Sequence, residues 1–480
     1  MKSPFQSARR LLTFSAACAV LLAAFTAAFA ENGAPPAVPL RVLILSGAGK
    51  HDWQTTTPFL RRLLTESERF DVRVTEAPAG FTAETLSPYD VVVDDYCGPR
   101  WGKISEDALQ EFVRAGKGLV VTHGALPSFA AKEALWPGFA EMTHLTWPPE
   151  NAGGNQTAFR IFPLKAAMPE HPIMRALPAT FHTGDQLYQG LGAAPGADIL
   201  ATSDQGEPLL IVSSYGKGRV FCTALGHDVG SMEEKPYITT LLRGTEWAAT
   251  GAVTLPAEIG MPGPKPGGVR VLVITGGHDH EASFYGLFDG WKDLGWVPVS
   301  TSKMAFEKDI RAKYDVLVMY DFTRDLEDKE KQNLRDFVES NKGIVVLHHG
   351  ILDHQHWPWW TEEVVGGRYR LENDGDIPNS TVKFGEEHLI TPAGDHPITA
   401  GVAPFHVTDE TYRGLFISPN ITPLLTTTNR TSDHVVGWIG PCKTSKVVFI
   451  QLGHDHSPFQ HPSYRTLVHN SILWTAGRLN

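Results

Sequence analysis

Short, uninterrupted apolar segments recur along the chain, and loops rich in glycine or polar residues follow them. The first three are Arg41–Gly47, Tyr89–Val93 and Gly118–Gly124. Because strands covered on both faces of a parallel sheet are continuously apolar, we interpret these segments as buried strands. Helical patterns lie between them, one beginning near Thr55 and an amphipathic one over Ser105–Ala115. Strands that alternate with helices predict βαβ units and a mostly parallel sheet, which is an α/β fold.

The same order of segments then begins again after a stretch rich in proline and glycine. Residues 251–269 show no periodic pattern, so we predict a linker there. The matched pairs keep their order at offsets of 224 to 229 residues. They are Arg41–Gly47 with Arg270–Gly276, Tyr89–Val93 with Tyr314–Val318, Lys117–His123 with Lys342–His348, Glu170–Ile173 with Asp395–Ile398, Phe181–Tyr188 with Phe405–Tyr412, and Leu225–Asp228 with Leu452–Asp455. This repetition predicts two tandem domains, residues 40–250 and 270–480.

Histidines gather where the predicted strands of the second copy end. They are His278 and His280 around Asp279, the pair His348 and His349, and His454 and His456 around Asp455. Ligands of open α/β sheets bind outside the carboxyl ends of the strands, so we expect these side chains to converge on a pocket. The first copy has fewer histidines and carboxylates at its strand ends. It has His51, His123 and His227, and Gln186 stands at the position of Glu410.

Histidine and carboxylate side chains in one pocket favour acid/base chemistry. An imidazole exchanges protons near neutral pH because its ordinary pKa is about 6.5, and a carboxylate beside it orients the ring. The predicted catalytic residues are His278, Asp279, His348, Glu410, His454 and Asp455. The predicted substrate-binding residues are His280, His349, Trp357, Tyr412 and His456.

Each of these assignments has a structural alternative. A single histidine is more often a satisfied buried residue than a catalytic one, and the aspartate of a His-Asp pair can simply cap a helix. The aromatic segment Trp357–Trp360 can form a wall for a sugar ring or a hydrophobic plug under a loop.

Metal binding is a further alternative that the sequence leaves open. Imidazoles and carboxylates are ligands for zinc, manganese and iron. Two strand ends carry His-x-His, and residues two apart in an extended chain share a face. No His-Glu-x-x-His pattern is present, so the sequence favours metal-free chemistry over a divalent metal. A divalent metal remains the alternative, and no cofactor is firmly indicated.

Composition narrows the class of protein. Hydrophobic residues make up 42% of the chain and charged residues 20%, which is typical of globular proteins. The formal net charge of -11, with no basic domain, argues against a nucleic-acid partner. Beyond the first 30 residues the cysteines are Cys97, Cys222 and Cys442, and an odd number without a CxxC pair argues against a disulfide framework.

The amino terminus has the pattern of a secretory signal. Arg9 and Arg10 belong to a basic head, Leu11–Phe29 is mostly apolar, and Ala28–Ala30 fits a cleavage site. We therefore predict a signal peptide over residues 1–30, a periplasmic or secreted product, and no membrane span after cleavage. An uncleaved anchor is the alternative. The pattern does not choose between the general and the twin-arginine export routes.

Several motifs together resemble the ThuA-like family, which is named for trehalose utilisation. They are the strands ending at His123 and His348, the His-Pro-Ile segments, the Asp-x-x-Tyr elements, the turn Tyr215–Arg219 and the Leu-Gly-His-Asp strand ends. The resemblance implies two class I glutamine amidotransferase-like domains, each a flavodoxin-like three-layer α/β sandwich. It also implies carbohydrate catabolism, with keto-sugars made by a partner oxidoreductase among the substrates. No cysteine lies beside His123 or His348, so thioester chemistry on glutamine is not expected.

These observations favour an exported, carbohydrate-active protein whose partner is a small carbohydrate. It would act on a sugar or keto-sugar through histidine and carboxylate groups, as an isomerase, hydrolase or lyase, without a cysteine nucleophile. A non-catalytic sugar-binding protein is the alternative. In a third interpretation the first copy only supports the second.

Overall fold

The computed structural model describes residues 38–49, 51–131, 134–151, 154–260 and 267–480. The predicted signal peptide and residues 261–266 of the predicted linker lie outside the described residues. Among the described residues, no helix combines the length and apolar character needed to cross a membrane.

The first copy is built on a nine-stranded sheet within the described residues, in the order β2-β1-β3-β4-β11-β10-β9-β6-β7. Its strands are β1 (Leu40–Leu45), β2 (Phe70–Thr75), β3 (Val91–Asp94), β4 (Gly118–Val121), β6 (Arg160–Ala166), β7 (Thr180–Asp185), β9 (Ala197–Thr202), β10 (Pro208–Tyr215) and β11 (Gly218–Thr223), with β5 (Leu145–Thr146) and β8 (Gly192–Ala193) in a separate ribbon. The helices are Trp53–Glu66, Ala83–Leu86, Lys103–Arg114, Pro137–Thr143, Val229–Met232 and Lys235–Thr250, with short 3-10 turns at Pro78–Gly80, His123–Ala125 and Pro149–Asn151.

Half of this sheet is parallel and half is antiparallel. Strands β2, β1, β3, β4 and β11 run parallel in the order typical of a flavodoxin-like sheet. The remaining strands pair antiparallel. The sequence predicted a mostly parallel sheet. The mixed sheet differs because antiparallel neighbours can be joined by short turns, without the crossover helices that parallel strands need.

The second copy repeats the sheet order as β13-β12-β14-β15-β22-β21-β20-β17-β18. Its strands are β12 (Val269–Ile274), β13 (Leu294–Val299), β14 (Val316–Met319), β15 (Gly343–Leu347), β17 (Thr381–Pro392), β18 (Phe405–Arg413), β20 (Thr422–Thr427), β21 (Val435–Ile439) and β22 (Val447–Ile450), with β16 (Gly367–Arg368) and β19 (Phe416–Ile417) in a ribbon. The helices are Ser302–Phe306, Asp328–Glu339, His456–Gln460 and Pro462–Thr475, with 3-10 turns at Ala282–Phe288, His348–Leu352 and Pro397–Thr399 and a π-helical turn at Trp359–Val364.

Both faces of the second sheet are covered. Along β12, Val271 and Val273 pack into a core with Ile472, which lies in the last helix. The alternate residues Leu272 and Ile274 pack into a second core, which includes residues of the helix Asp328–Glu339. Alternate residues of a strand point to opposite faces, so the sheet lies between two helical layers. The predicted α/β class and tandem three-layer architecture are therefore confirmed.

Candidate functional site

The central feature of the second copy is the turn after β15. His348 follows this strand with φ of +49°, a left-handed conformation that is uncommon for a residue other than glycine. The imidazole is fully buried, and its Nδ1 lies 2.8 Å from the carbonyl oxygen of Gln451. Because a carbonyl oxygen only accepts, Nδ1 carries the proton that it donates. The Nε2 atom of His348 is therefore the nitrogen available to the site.

A second turn, after β22, positions His454. Gly453 has φ of +127°, and a Cβ there would lie 2.5 Å from the hydroxyl oxygen of Tyr464, so the position requires glycine. The backbone N–H groups of Gly453 and His454 donate to the Asp409 carboxylate at 2.7 and 3.0 Å. Asp409 thereby holds the turn that presents the His454 ring.

Glu410, the neighbour of Asp409 on β18, joins the two histidines. Its Oε1 lies 2.9 Å from Nδ1 of His454, and its Oε2 lies 3.3 Å from Nε2 of His348. The Tyr412 hydroxyl lies 2.9 Å from the same Nε2. We call His348, Glu410, Tyr412 and His454 the Glu410 cluster. The buried carboxylate of Glu410, on β18, thus connects histidines from the ends of two other strands.

The electrostatics of this cluster favour an ionised carboxylate. Burial alone would raise the pKa of Glu410, but hydrogen bonds from His348 and His454 outweigh it and lower this pKa to about 2. The hydrogen bond that Glu410 accepts from His454 in turn raises the pKa of His454 above its ordinary value. Since Nδ1 of His454 faces the carboxylate, its Nε2 is the free nitrogen, on a side chain that is 30% exposed. A carboxylate that orients an imidazole in this way prepares it as a proton acceptor.

One further predicted residue, His349, lies beside the Glu410 cluster, and a second, His278, lies behind His349. The His349 ring is buried, 5.3 Å from the His348 ring, and its Nε2 lies 2.8 Å from the Tyr320 carbonyl oxygen. His278 is exposed and stacks on His349 with ring centroids 4.5 Å apart. Burial and the neighbouring histidines hold the pKa of His349 well below its ordinary value. His349 is therefore neutral, and it separates His278 from the cluster.

Asp279 and His280 belong to the same loop after β12 as His278. Asp279 is exposed, and the His280 ring makes edge contacts with Tyr285 and Tyr320. These two residues therefore lie outside the Glu410 cluster.

Asp455, His456 and Trp357 have structural partners. The Asp455 carboxylate accepts from the Ser457 N–H at 2.8 Å and caps the helix His456–Gln460, which was the alternative considered for it. The exposed His456 pairs with Glu281 at 3.2 Å. Trp357 packs against Trp359 with ring centroids 4.7 Å apart and lies near the Arg335 guanidinium, as expected for the hydrophobic plug.

The corresponding strand ends of the first copy bring three imidazoles together. The rings of His51, His123 and His227 have centroids 5.2 to 5.3 Å apart. One nitrogen from each lies within 4.8 Å of the others, and the same is true of the ligand atoms of His348, Glu410 and His454. Both groups have donor atoms suited to a transition metal. Although the sequence indicated a poorer site in the first copy, its three histidines converge.

Comparison with known proteins identifies the repeated unit. The family model for ThuA, described as trehalose utilisation, matches residues 41–248 and again residues 270–475. The chain belongs to the ThuA family. The predicted tandem duplication of a ThuA-like unit is therefore confirmed.

Solved structures similar to one ThuA copy come from several bacteria. A ThuA-like protein from Parabacteroides merdae is 28% identical, covers 48% of this chain and 94% of its own, and has a TM-score of 0.41. A ThuA-like protein from Bacteroides uniformis is 17% identical, covers 47% and 97%, and has a TM-score of 0.37. A cytoplasmic protein from Salmonella typhimurium is 18% identical, covers 44% and 99%, and has a TM-score of 0.35. No curated protein matches the chain.

Two residues near the Glu410 cluster were not among the catalytic or substrate-binding residues predicted from the sequence. Asp409 matches Asp185 in a segment that repeats without a gap, so the repeat could have identified it as a positioning residue. In the first copy, Asp185 likewise accepts from the N–H groups of Gly226 and His227. Phe384 lies on β17, is 68% exposed, and has its ring centroid 5.9 Å from that of His454. No local pattern marks Phe384, because only the folded strand brings it to the site.

We expect Asp409→Asn to destabilise the second ThuA copy. The two carboxylate oxygens accept separate hydrogen bonds from the N–H groups of Gly453 and His454, and an amide in their place offers only one acceptor oxygen. The free energy of unfolding should therefore fall by about 1–3 kcal/mol in denaturant titrations. Asp455→Asn is the matched control, since asparagine and aspartate cap helices equally well and the change should stay within about 0.5 kcal/mol. Equal losses in the two variants would contradict the role given to Asp409.

Proposed function

We propose that the second ThuA copy is an acid/base site that acts on a sugar or keto-sugar without a cysteine nucleophile. The observation that carries this proposal is the position of Glu410, a buried carboxylate in contact with both His348 and His454. Two imidazoles on one carboxylate can hold and transfer protons near neutral pH. The reaction type that fits best is removal of a proton beside a carbonyl group.

In this proposal His454 is the general base. Its Nε2 takes the proton from the carbon, and the electron pair of the broken C–H bond moves onto the substrate carbonyl to give an enolate. Glu410 holds the His454 ring in the required tautomer and stabilises the imidazolium that forms. His348 is the second acid/base group, because its Nε2 lies beside both Glu410 and the Tyr412 hydroxyl. The base works unprotonated, so activity should rise with pH through a pKa above 6.5.

A carbohydrate substrate is supported by an exposed aromatic ring at the site. Phe384 places a flat apolar surface beside His454, and such a surface suits the apolar face of a sugar ring while nearby polar groups bind hydroxyls. The family description, trehalose utilisation, supports the same class of ligand. Isolated exposed apolar residues are common, so it is the position of Phe384 next to the Glu410 cluster that matters.

Calorimetry with disaccharides and their keto derivatives, run alongside a product assay, tests this proposal. The full chain should bind at least one of these sugars and convert it. Phe384→Ala should raise the dissociation constant about tenfold, as expected for one lost aromatic contact. Phe159→Ala, at a phenylalanine of the first copy that is also exposed, should leave the constant unchanged. Binding without any product would support the non-catalytic alternative, and no binding of any sugar would refute both.

We also propose that the protein is exported. The basic head and apolar segment of residues 1–30 support this proposal. Fractionation of cells that express the full chain should recover it outside the cytoplasm, and recovery in the cytoplasm would refute the proposal.

A further inference from the structure

The three histidines of the first copy come from three separate strand ends. His51 follows β1, His123 follows β4 and His227 follows β11, so residues far apart in sequence converge on one point. Their nitrogens lie within 4.8 Å of one another. We call His51, His123 and His227 the tri-histidine cluster. It lies outside the site proposed for acid/base chemistry.

The ring orientations leave nitrogens facing the cluster. Nδ1 of His123 lies 2.7 Å from the Ala224 carbonyl oxygen, so this nitrogen donates and Nε2 faces inward. Metal-bound histidines usually have this arrangement, in which a backbone carbonyl fixes the tautomer. In the described part of the chain, the buried Nδ1 of His227 has no hydrogen-bond partner. A buried ring nitrogen without a partner is costly unless a ligand satisfies it.

Imidazole is also a suitable ligand type for a metal ion, because an unprotonated ring nitrogen offers a lone pair to a metal. Because Gln186 replaces Glu410 here, the first copy has no carboxylate at the position that joins the histidines of the second.

Two further side chains face the same point. The amide nitrogen of Gln156 lies 3.0 Å from Nε2 of His123 and 3.5 Å from Nε2 of His51. The Tyr188 hydroxyl lies 3.1 Å from Nε2 of His51 and donates to the His123 carbonyl oxygen at 2.8 Å. These polar groups can orient a water molecule or a substrate oxygen on a bound ion.

We propose that His51, His123 and His227 bind a divalent transition-metal ion, with zinc as the best match. Three histidines with a fourth position left open form a common ligand set for catalytic zinc. The second copy does not offer the same set, since His278, the counterpart of His51, stacks on His349 and is exposed. The two copies of the repeat have therefore diverged into a metal site and a carboxylate-linked acid/base site.

Metal titration of the full chain tests this proposal. Protein stripped with a chelator should take up one equivalent of Zn²⁺ at micromolar concentration, and its thermal unfolding midpoint should rise. Co²⁺ should bind at the same stoichiometry and give the visible absorption of a tetrahedral site. His51→Ala and His227→Ala should each weaken Zn²⁺ binding by about 100-fold or more, since even residues that only support a ligand contribute 10–100-fold. His51→Gln, a milder replacement of a half-buried residue, should weaken it similarly while keeping the unfolding midpoint of the stripped protein.

Two controls assign the ion to the first copy. His278→Ala removes the counterpart of His51, and Glu410→Gln alters the cluster of the second copy, and both variants should keep one equivalent of Zn²⁺. The absence of stoichiometric Zn²⁺ binding by the unaltered chain would overturn the proposal. Binding that survives both His51→Ala and His227→Ala but is lost in Glu410→Gln would also overturn it. These readouts do not depend on turnover, so the acid/base proposal can fail without affecting this one.

Discussion

Replacing Glu410 with glutamine is expected to reduce kcat by about 10²- to 10⁴-fold on whichever sugar the unaltered chain converts. Glutamine keeps the size of the side chain but removes the charge that orients His454 and stabilises its protonated form. Because the hydrogen bond that Glu410 accepts from His454 raises the pKa of His454, its loss should also move the rising limb of the pH–rate profile to lower pH. Steady-state kinetics from pH 5 to 9 measure both effects.

A surface pair provides the matched control for this substitution. Glu387 and His406 lie 3.5 Å apart in the same copy, and both side chains are exposed. Glu387→Gln should therefore leave kcat and the pH profile unchanged, because an exposed pair of this kind contributes little. An unchanged rate in Glu410→Gln, or a slower rate with an unshifted profile, would contradict the role given to the carboxylate.

His348→Asn is expected to abolish turnover while the fold is retained. Asparagine tolerates the left-handed backbone conformation found at His348, so it tests the imidazole without adding backbone strain. Loss of the ring removes the group beside Glu410 and leaves the Gln451 carbonyl oxygen without its donor, which costs about 1–3 kcal/mol. Single-turnover kinetics and the thermal unfolding midpoint separate these two effects.

His354 offers an unusually close control. It is also a fully buried histidine, with φ of +53° and Nδ1 3.1 Å from the Thr323 carbonyl oxygen. His354→Asn should lower the unfolding midpoint by a similar amount but leave turnover unchanged. If both variants lose activity in proportion to their loss of stability, His348 has only a structural role.

Most of the fold could be predicted from the sequence because the chain contains two copies of the same domain. Continuous apolar segments mark strands buried on both faces, and their repetition at nearly constant spacing removed the ambiguity of each segment alone. The antiparallel half of each sheet was less visible, since its strands, such as Arg160–Ala166, are only partly buried and interrupt the apolar pattern. The apolar pattern of a segment predicts whether it is buried. The direction of a strand can be predicted only from the segment that connects it to the next strand.

The candidate site was predicted in part, and the rest depended on side-chain direction. The sequence pattern placed His278 and His348 at strand ends, but only the fold shows that His349 lies between them. Similarly, His51 turns into its cluster, whereas its counterpart His278 does not. A loop residue takes its direction from contacts distant in sequence, which no local pattern contains.

The difference between the two copies comes down to a few positions. Where Glu410 joins two histidines in the second copy, the first copy has Gln186, and His51 supplies the third group instead. Losing a carboxylate removes an acceptor that stabilises a histidine when it becomes protonated, whereas gaining an imidazole adds a lone pair for a metal. Under the two proposals made above, small substitutions at equivalent strand ends account for the different chemistry of the two copies.

Exchange of hydrogen for deuterium at the substrate carbon gives the sharpest test of the Glu410 cluster. The full chain is incubated with a bound keto-sugar in deuterated water, and proton NMR follows the C–H next to the carbonyl group. The unaltered protein should catalyse loss of that signal, His354→Asn should match it, and both Glu410→Gln and His348→Asn should not. A sugar that binds tightly to the unaltered protein yet keeps its C–H signal would contradict proton transfer at this site.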